Sequence, residues 1–181
     1  MNSITSIAIS SQNNTGKTTL SSVLSERLQW KHIRIGEEFR KLANEYNLDI
    51  EKFGSIPDEK LILIDEIMKK RMSIEEKKIW DGRLSCFLAR GRKDILKVFC
   101  TADLNVRIIR ASIRSNIDHD TAKKQILDRE IEEKKVFHRL YHLDNPYDKK
   151  WIDLILNTST NSPSELAQTV IENINLSKRS L

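Results

Sequence analysis

The sequence contains few of the residues that mark disulfide-rich and metal-binding proteins. Its 181 residues include two cysteines, five glycines and three prolines. Cys86 and Cys100 are too few for a disulfide framework, and no Cys/His cluster has the spacing of a metal site. Because the sequence also has no internal repeat and no low-complexity linker, we expect one domain over residues 1–181.

Long apolar runs and abundant aromatic residues are absent as well. No apolar run approaches the roughly 18 residues of a membrane span, and no basic segment followed by an apolar one begins the sequence. We therefore expect a cytoplasmic protein without a membrane partner. Aromatic residues make up 6% of the sequence, and no aromatic platform or groove-reading helix suggests nucleic-acid binding.

The remaining composition is that of an ordinary compact domain. Hydrophobic residues make up 39% and charged residues 31% of the chain, and the formal net charge is +5. This length can bury a substantial core. The charge favours anionic partners, although a solvated lysine-rich surface explains it equally well. We expect nucleotides as partners, no nucleic acid, and a monomer.

Strand and helix patterns alternate along the chain. We predict strands at about 4–9, 32–35, 77–80, 95–100 and 153–156. We predict helices at about 17–28, from about 37, from 57–58, shortly after residue 83, over a charged region at about 106–141, and at about 164–174. This alternation predicts an α/β fold with a mainly parallel five-stranded sheet covered by helices on both faces. Ligands of such sheets gather at the carboxyl ends of the strands.

The strongest functional signal is a candidate phosphate-binding loop between the first strand and the first helix. Its residues are Ser11, Gln12, Asn13, Asn14, Thr15, Gly16, Lys17, Thr18 and Thr19. The pattern G-x-x-x-x-G-K-[ST] is complete except that Ser11 takes the place of the first glycine. Backbone N–H groups would bind phosphate oxygens, Lys17 would contact the β- and γ-phosphates, and Thr18 would bind Mg²⁺. The alternative is a polar turn that caps a helix.

Two further stretches follow predicted strands. Asp81 can orient a Mg²⁺-bound water or a substrate group, Gly82 permits a close approach, and Arg83 presents a planar fork suited to phosphate. The alternative is a turn with a surface arginine. Gly36 is expected to end the second strand, with Arg40 about one helical turn later. A solvated arginine is the alternative there.

Two helical segments contribute weaker candidates. Asp65, on the helix after residue 57, is expected to face an acceptor pocket, although an ordinary surface charge is the alternative. The charged region carries Arg107, Arg110, Arg114, Arg129, Lys134, Lys135 and Arg139. Such cations can close over a transferring phosphoryl group as a lid, whereas interleaved acids are typical of a solvated helix.

These pieces together resemble the nucleoside monophosphate kinases, and most closely the cytidylate kinases of the archaeal type. The similarity is carried by residues 16–19, 32–40, 81–84, 105–107, 129–130 and 153–159, with Tyr141, Asp144 and the helix start at Ser162 and Pro163. It implies the P-loop NTPase fold and transfer of the γ-phosphoryl group of ATP to CMP or dCMP, with Mg²⁺.

The resemblance also implies roles for particular segments. The acceptor-binding insert would cover about residues 37–73 and the lid about 114–141. Lys17, Arg110 and Arg114 would be catalytic. The acceptor would be bound by Gly36, Arg40, Asp65, Asp81, Gly82 and Arg83, of which Arg40 and Arg83 match positions that hold its phosphate.

Three positions depart from the family's pattern. Ser11 and Asn14 replace residues that are usually glycine, and Val136 falls where the lid usually has an arginine. Two other functions therefore stay open. One is another small-molecule P-loop kinase, such as an adenylate-type kinase, and the other is a nucleotide-binding regulatory module that has lost turnover.

Overall fold

Five strands form one parallel sheet in the computed structural model, which describes residues 3–45 and 56–179. The strands are β1 (Ser6–Ser11), β2 (Lys31–Arg34), β3 (Lys78–Asp81), β4 (Ile95–Thr101) and β5 (Leu154–Asn157). Their order is β2-β3-β1-β4-β5, and every neighbouring pair is parallel. The central strand β1 is buried over its whole length, as expected for a parallel strand covered on both faces.

Seven helices of the described residues connect and flank the strands. They are α1 (Lys17–Leu28), α2 (Ile35–Glu45), α3 (Asp58–Ile74), α4 (Ser85–Leu88), α5 (Leu104–Ser115), α6 (His119–Tyr141) and α7 (Pro163–Arg179). A short 3-10 helix, Lys149–Trp151, precedes β5. The sheet and its helices confirm the predicted α/β class.

The alternation of side chains along β1 divides the core into two layers. Ile7 and Ile9 are fully buried on one face, in a cluster with residues of α1 and α7. Ala8 lies on the other face, in a cluster with Trp80 of β3 and residues of α3, α4 and α6. Both faces of the sheet are therefore covered, and the carboxyl ends of the strands form one edge where loops can meet.

The charged region expected as one helical segment is two helices. α5 ends at Ser115, where Asn116 adopts a left-handed conformation with φ 51°. Asp118 then caps α6, since its side chain accepts a hydrogen bond of 2.8 Å from the backbone N–H of Thr121. The charge pattern continues across residues 116–118. The break between α5 and α6 is set instead by the local caps at Asn116 and Asp118.

The expected strand boundaries are displaced at two places. β1 covers Ser6–Ser11 instead of residues 4–9, so its last residue belongs to the candidate loop. Gly36 does not end a strand, because β2 stops at Arg34 and α2 starts at Ile35. Glu37 and Glu38 in the first turn of α2 favour this early helix start. The chain between α2 and residue 56 lies outside the described residues.

Over residues 3–45 and 56–179, none of the helices combines the length and the apolar content needed to cross a bilayer.

Candidate active site

The loop after β1 presents the start of α1 without a cap of its own. Gly16 takes the N-cap position with φ +85°, a left-handed conformation that glycine adopts without strain. No side chain caps this end, and no acidic residue lies in the first turn of α1. The first N–H groups of α1 and its positive dipole end are therefore left for an anion.

Two departures from the glycine pattern have different structural consequences. Asn14 has φ 59°, and asparagine is among the side chains that tolerate this left-handed region best. Ser11 does not need the freedom of glycine, because it is the last residue of β1, pairs with Cys100 and is absent from the positive-φ residues of the described chain. Its hydroxyl donates a 2.8 Å hydrogen bond to the Gln12 carbonyl. The backbone conformation at Ser11 is therefore compatible with a side chain.

Lys17 forms an ion pair with Asp81, which ends β3. The other oxygen of Asp81 lies 3.0 Å from Nε2 of His32 on β2. Burial, with help from Arg34 and Lys17, lowers the pKa of His32 to about 4, so the ring is neutral at pH 7. An ionised carboxylate only accepts hydrogen bonds, so Nε2 of His32 carries the proton. Asp81 thus holds Lys17 in place.

Arg83 joins three parts of the site. Its Nη2 donates to Oδ1 of Asn13 over 2.6 Å, and the guanidinium also forms an ion pair with Glu133 of α6. Arg129, one turn earlier on α6, donates to the same carboxylate over 3.0 Å. Burial and the nearby Arg129 lower the pKa of Arg83 to about 10, which keeps it charged at pH 7. The amide nitrogen of Asn13 is buried, without a partner among the described residues.

Arg110 of α5 lies against the loop backbone. Its Nη1 donates to the Thr15 carbonyl over 3.1 Å, and its Nη2 donates to the Thr158 carbonyl over 2.6 Å. The Thr158 hydroxyl also donates to Thr15. A Cβ added at Gly16 would be 3.6 Å from Arg110. Arg110 therefore links the loop to the segment after β5, and its positively charged guanidinium lies beside the loop.

Two clefts open at this edge of the sheet. The first, here called the loop cleft, has a volume of about 680 Å³ and is lined by loop residues 11–20 with Arg83, Arg110, Arg114, Thr158, Asn161, Pro163 and Leu166. The second, here called the helix cleft, has a volume of about 860 Å³ and lies among α2, α3 and α6. Lys17, Thr18 and Arg83 line both. The two clefts therefore meet at a hydroxyl and two cations.

The helix cleft contains most of the predicted acceptor residues. Gly36, Arg40, Asp65, Asp81, Gly82 and Arg83 all line it. Gly82, however, has a structural requirement, because a Cβ there would lie 2.8 Å from Cβ of Ile35. The close approach predicted at Gly82 is thus made by this packing contact. A Cβ at Gly36 would meet nothing within 4 Å.

Asp65 lies on α3 and contacts α6 across the helix cleft. Its Oδ2 accepts a hydrogen bond from the hydroxyl of Tyr141. Burial raises the pKa of Asp65 to about 6, against the opposing effect of the Tyr141 bond. Tyr141 packs against Phe87, with ring centroids 5.3 Å apart. The carboxylate is therefore held by a side chain that is itself fixed by the core.

A divalent cation has few protein ligands available here. The described residues contain no group of three or more His, Cys, Asp or Glu side chains suited to a metal. Thr18, in the first turn of α1, lines both clefts. Mg²⁺ usually keeps several waters and binds through one or two protein oxygens plus substrate phosphates. The residues present fit that form of Mg²⁺ binding, with the Thr18 hydroxyl as ligand.

A family model described as the cytidylate kinase-like family matches residues 6–160. The chain belongs to that family. It is 32% identical over 149 residues to a cytidylate kinase of Methanocaldococcus jannaschii, covering 80% of this chain and 83% of the relative. It is 33% identical over 160 residues to a cytidylate kinase of Methanopyrus kandleri, covering 83% and 82%. These matches confirm the family inferred from the sequence and the prediction of a kinase.

Solved structures of low sequence identity share the fold. An uncharacterised protein from Eubacterium ventriosum has a TM-score of 0.73 at 16% identity, covering 94% of this chain and 98% of its own. Shikimate kinase from Acinetobacter baumannii, solved with shikimate, has a TM-score of 0.63 at 15% identity, covering 97% and 95%. The predicted P-loop kinase fold of this cytidylate kinase-like chain is confirmed.

Two residues and one contact of this cytidylate kinase-like site are not evident from the sequence. The residues are His32 and Glu133, and the contact joins the predicted loop residue Asn13 to Arg83. All three depend on partners distant in sequence, so spacing along the chain carries no direct sign of them. The one local signal is Glu133, which lies four residues after Arg129 and so shares a helix face with it.

Val136, the third departure from the family's pattern, belongs to the core. Its side chain is 3% exposed and packs in the same buried cluster as Trp80. It also contributes to the wall of the helix cleft. An arginine at this position would therefore place its charge against apolar side chains.

Proposed function

We propose that this protein transfers the γ-phosphoryl group of ATP to CMP or dCMP, giving ADP and CDP or dCDP. The observation that carries the proposal is the meeting of two clefts at Lys17, Thr18 and Arg83. A phosphoryl group passing between a donor in one cleft and an acceptor in the other would cross this junction. The names of the relatives support cytidylate as the acceptor.

ATP would place its phosphates in the loop cleft. The uncapped start of α1 and the N–H groups of loop residues 11–19 would bind their oxygens. Lys17 would contact the β- and γ-phosphates. Arg110 and Arg114 both line this cleft and would add positive charge beside the transferring group.

The monophosphate would occupy the helix cleft. Arg40 and Arg83 would hold its phosphate, and Asp65 would lie farther along the cleft, beside the base. Asp81 would keep its orienting role towards Lys17, while Gly36 leaves space at the start of α2 and Gly82 shapes the neighbouring turn. The acceptor-binding part would be about residues 37–73, of which 46–55 lie outside the described residues.

Catalysis would consist of positioning and charge stabilisation, without a covalent intermediate or a strong base. Mg²⁺ bound through Thr18 and the phosphates would neutralise charge on the transferring group. Residues of about 114–141 would act as a lid, because Arg129 and Glu133 of α6 lie across the helix cleft and are linked to Arg83. Closing that segment would exclude water.

We place this activity in the cytoplasm, in a monomer. Cys86 and Cys100 are both free and buried, as expected for a protein of a reducing compartment. Both proposed clefts are formed within one chain. Sedimentation at assay concentration checks the monomer, and a dimeric mass would contradict it.

The test is a coupled assay of ADP formation with Mg·ATP and, in turn, CMP, dCMP, UMP, AMP, GMP and shikimate. We expect CMP and dCMP to give the highest kcat/KM. AMP as the preferred acceptor would favour an adenylate-type kinase, and ATP binding without turnover of any acceptor would indicate a nucleotide-binding module.

A further inference from the structure

We propose that Asp65, held by Tyr141, reads the base of the acceptor and selects a base with an amino group over one with a carbonyl oxygen at the same position. Cytosine, with its 4-amino group, would thus be preferred to uracil, with its 4-oxygen. This inference rests on the proposed function, because it assigns the helix cleft to a nucleoside monophosphate.

The lining of the helix cleft separates a phosphate part from a base part. Lys17, Thr18 and Arg83 lie where the two clefts meet, so the acceptor phosphate belongs there. Away from that junction the helix cleft has an apolar wall. It includes Leu61, Leu88, Phe137 and Leu140, which line the helix cleft but not the loop cleft. A flat heterocycle fits an apolar wall, and Asp65 lines the same cleft.

Asp65 is placed within this wall by two helices. Leu61 precedes it by one turn of α3, so the two residues lie on the same helix face. Phe137 likewise precedes Tyr141 by one turn of α6. The hydroxyl of Tyr141 therefore reaches Asp65 from the side of α6 that carries the apolar wall, and it fixes the carboxylate through Oδ2.

The chemistry of a fixed carboxylate decides which base it accepts. Within the described part of the chain, no salt bridge and no second hydrogen bond engages Asp65, so Oδ1 is the oxygen left for a ligand. With a pKa of about 6 the group is mainly ionised at pH 7.5 and only accepts hydrogen bonds. The amino group of cytosine donates to such a group, whereas the 4-oxygen of uracil would place two acceptors against each other.

Asp65→Asn is the variant that tests the inference. Asparagine keeps the shape and still accepts the Tyr141 hydrogen bond through its carbonyl, but it presents an amide that can donate to uracil. We expect the affinity for CMP, measured by calorimetry without ATP, to fall about tenfold to a hundredfold, and the CMP:UMP preference to shrink or reverse. The KM for ATP should stay at its wild-type value.

Two other variants complete the design. Tyr141→Phe removes the hydroxyl that positions Asp65 and should reduce the CMP:UMP preference even if Asp65→Asn fails to fold. Asp148→Asn makes the same chemical change at a half-exposed carboxylate paired with Lys150, outside both clefts and outside the proposed acceptor-binding and lid segments. It should keep the wild-type preference.

The outcomes separate the inference from the proposed function. A wild-type CMP:UMP preference in both Asp65→Asn and Tyr141→Phe would overturn the inference, while continued CDP formation would leave the function standing. If the variants lose the CMP:UMP preference in binding while the wild type binds CMP but forms no CDP, the role of Asp65 in base selection is supported and the proposed kinase activity is contradicted. Weaker AMP binding in Asp65→Asn would also support it, because adenine carries an amino group.

Discussion

At the scale of single residues, Lys17 is the proposed contact to the transferring phosphoryl group. Its ammonium pairs with Asp81 at the junction of both clefts. We expect Lys17→Ala to lower kcat by about 10²- to 10³-fold, the usual effect of removing one group that stabilises developing charge. Circular dichroism should show a folded protein, because His32 remains a partner of Asp81.

A matched control for this variant is Lys31→Ala. Lys31 is exposed and begins β2, so it lies at the amino end of the sheet, opposite the site. Its loss should leave turnover unchanged. Near-normal turnover of a folded Lys17→Ala protein would remove the basis for the phosphate loop.

The two arginines assigned to the acceptor phosphate give a second prediction. Arg40 lines only the helix cleft, whereas Arg83 lines both clefts. We expect Arg40→Ala and Arg83→Ala to raise the KM for CMP by about one to two decades and the KM for ATP less, since a charge-assisted phosphate contact contributes roughly 1.5–3 kcal/mol. Arg27→Ala, on α1 outside both clefts, is the control. Effects confined to ATP would reassign both arginines to the donor.

The raised pKa of Asp65 predicts that the free energy of unfolding depends on pH. Its pKa is raised from 3.8 to about 6, so the folded state holds this proton more tightly than the unfolded state does. The resulting stabilisation is complete below about pH 3.8 and is lost as the pH rises through 6. Between pH 4.5 and 7.5 the wild type should lose about 2 kcal/mol relative to Asp65→Asn. Urea unfolding measures this, and parallel pH curves would contradict it.

The sequence identified the residues of this site that belong to a local motif. The loop residues, Asp81 and Arg83 follow strands and carry recognisable chemistry, so spacing alone was enough to place them. Glu133 and His32 were not predictable in this way, because their partners are 50 and 49 positions away in the chain. Such pairs depend on how the helices and strands pack.

At the scale of elements, α6 combines a wall of the core with a face of the helix cleft. Its residues Val136 and Phe137 are buried against the sheet, whereas Arg129 and Glu133 lie across the cleft. The charge pattern of this region suggested one solvated or lid-forming segment. The boundary before α6 depends on the cap at Asp118, a local feature that the abundance of charges obscured.

The buried position of Val136 gives the prediction for this helix. We expect Val136→Arg to lower the free energy of unfolding by about 1–3 kcal/mol, because a larger, charged side chain would replace a buried valine in a packed apolar cluster. Ile131→Arg, at a 54% exposed position of the same helix, should change it by less than about 0.5 kcal/mol. Unfolding in urea compares the two. A fully stable Val136→Arg protein with faster turnover would instead place residue 136 beside the transferring group.

At the scale of the whole molecule, the alternation of strands and helices determined the fold class. Short apolar runs separated by amphipathic helices are compatible with few arrangements other than a parallel sheet, and right-handed crossovers limit the strand order further. The two clefts were not predictable from this alternation, because they are formed by side chains of α2, α3, α5 and α6 that meet only after packing.

The central claim is direct transfer of a phosphoryl group between these two clefts, and one measurement tests it most directly. ATP labelled in the γ-phosphate is incubated with CMP, Mg²⁺ and the wild-type protein, and the labelled products are separated over a single time course. If the transfer is direct, label enters CDP in a one-to-one ratio with the ADP formed. Label released as inorganic phosphate, or label that stays in bound ATP, would contradict it.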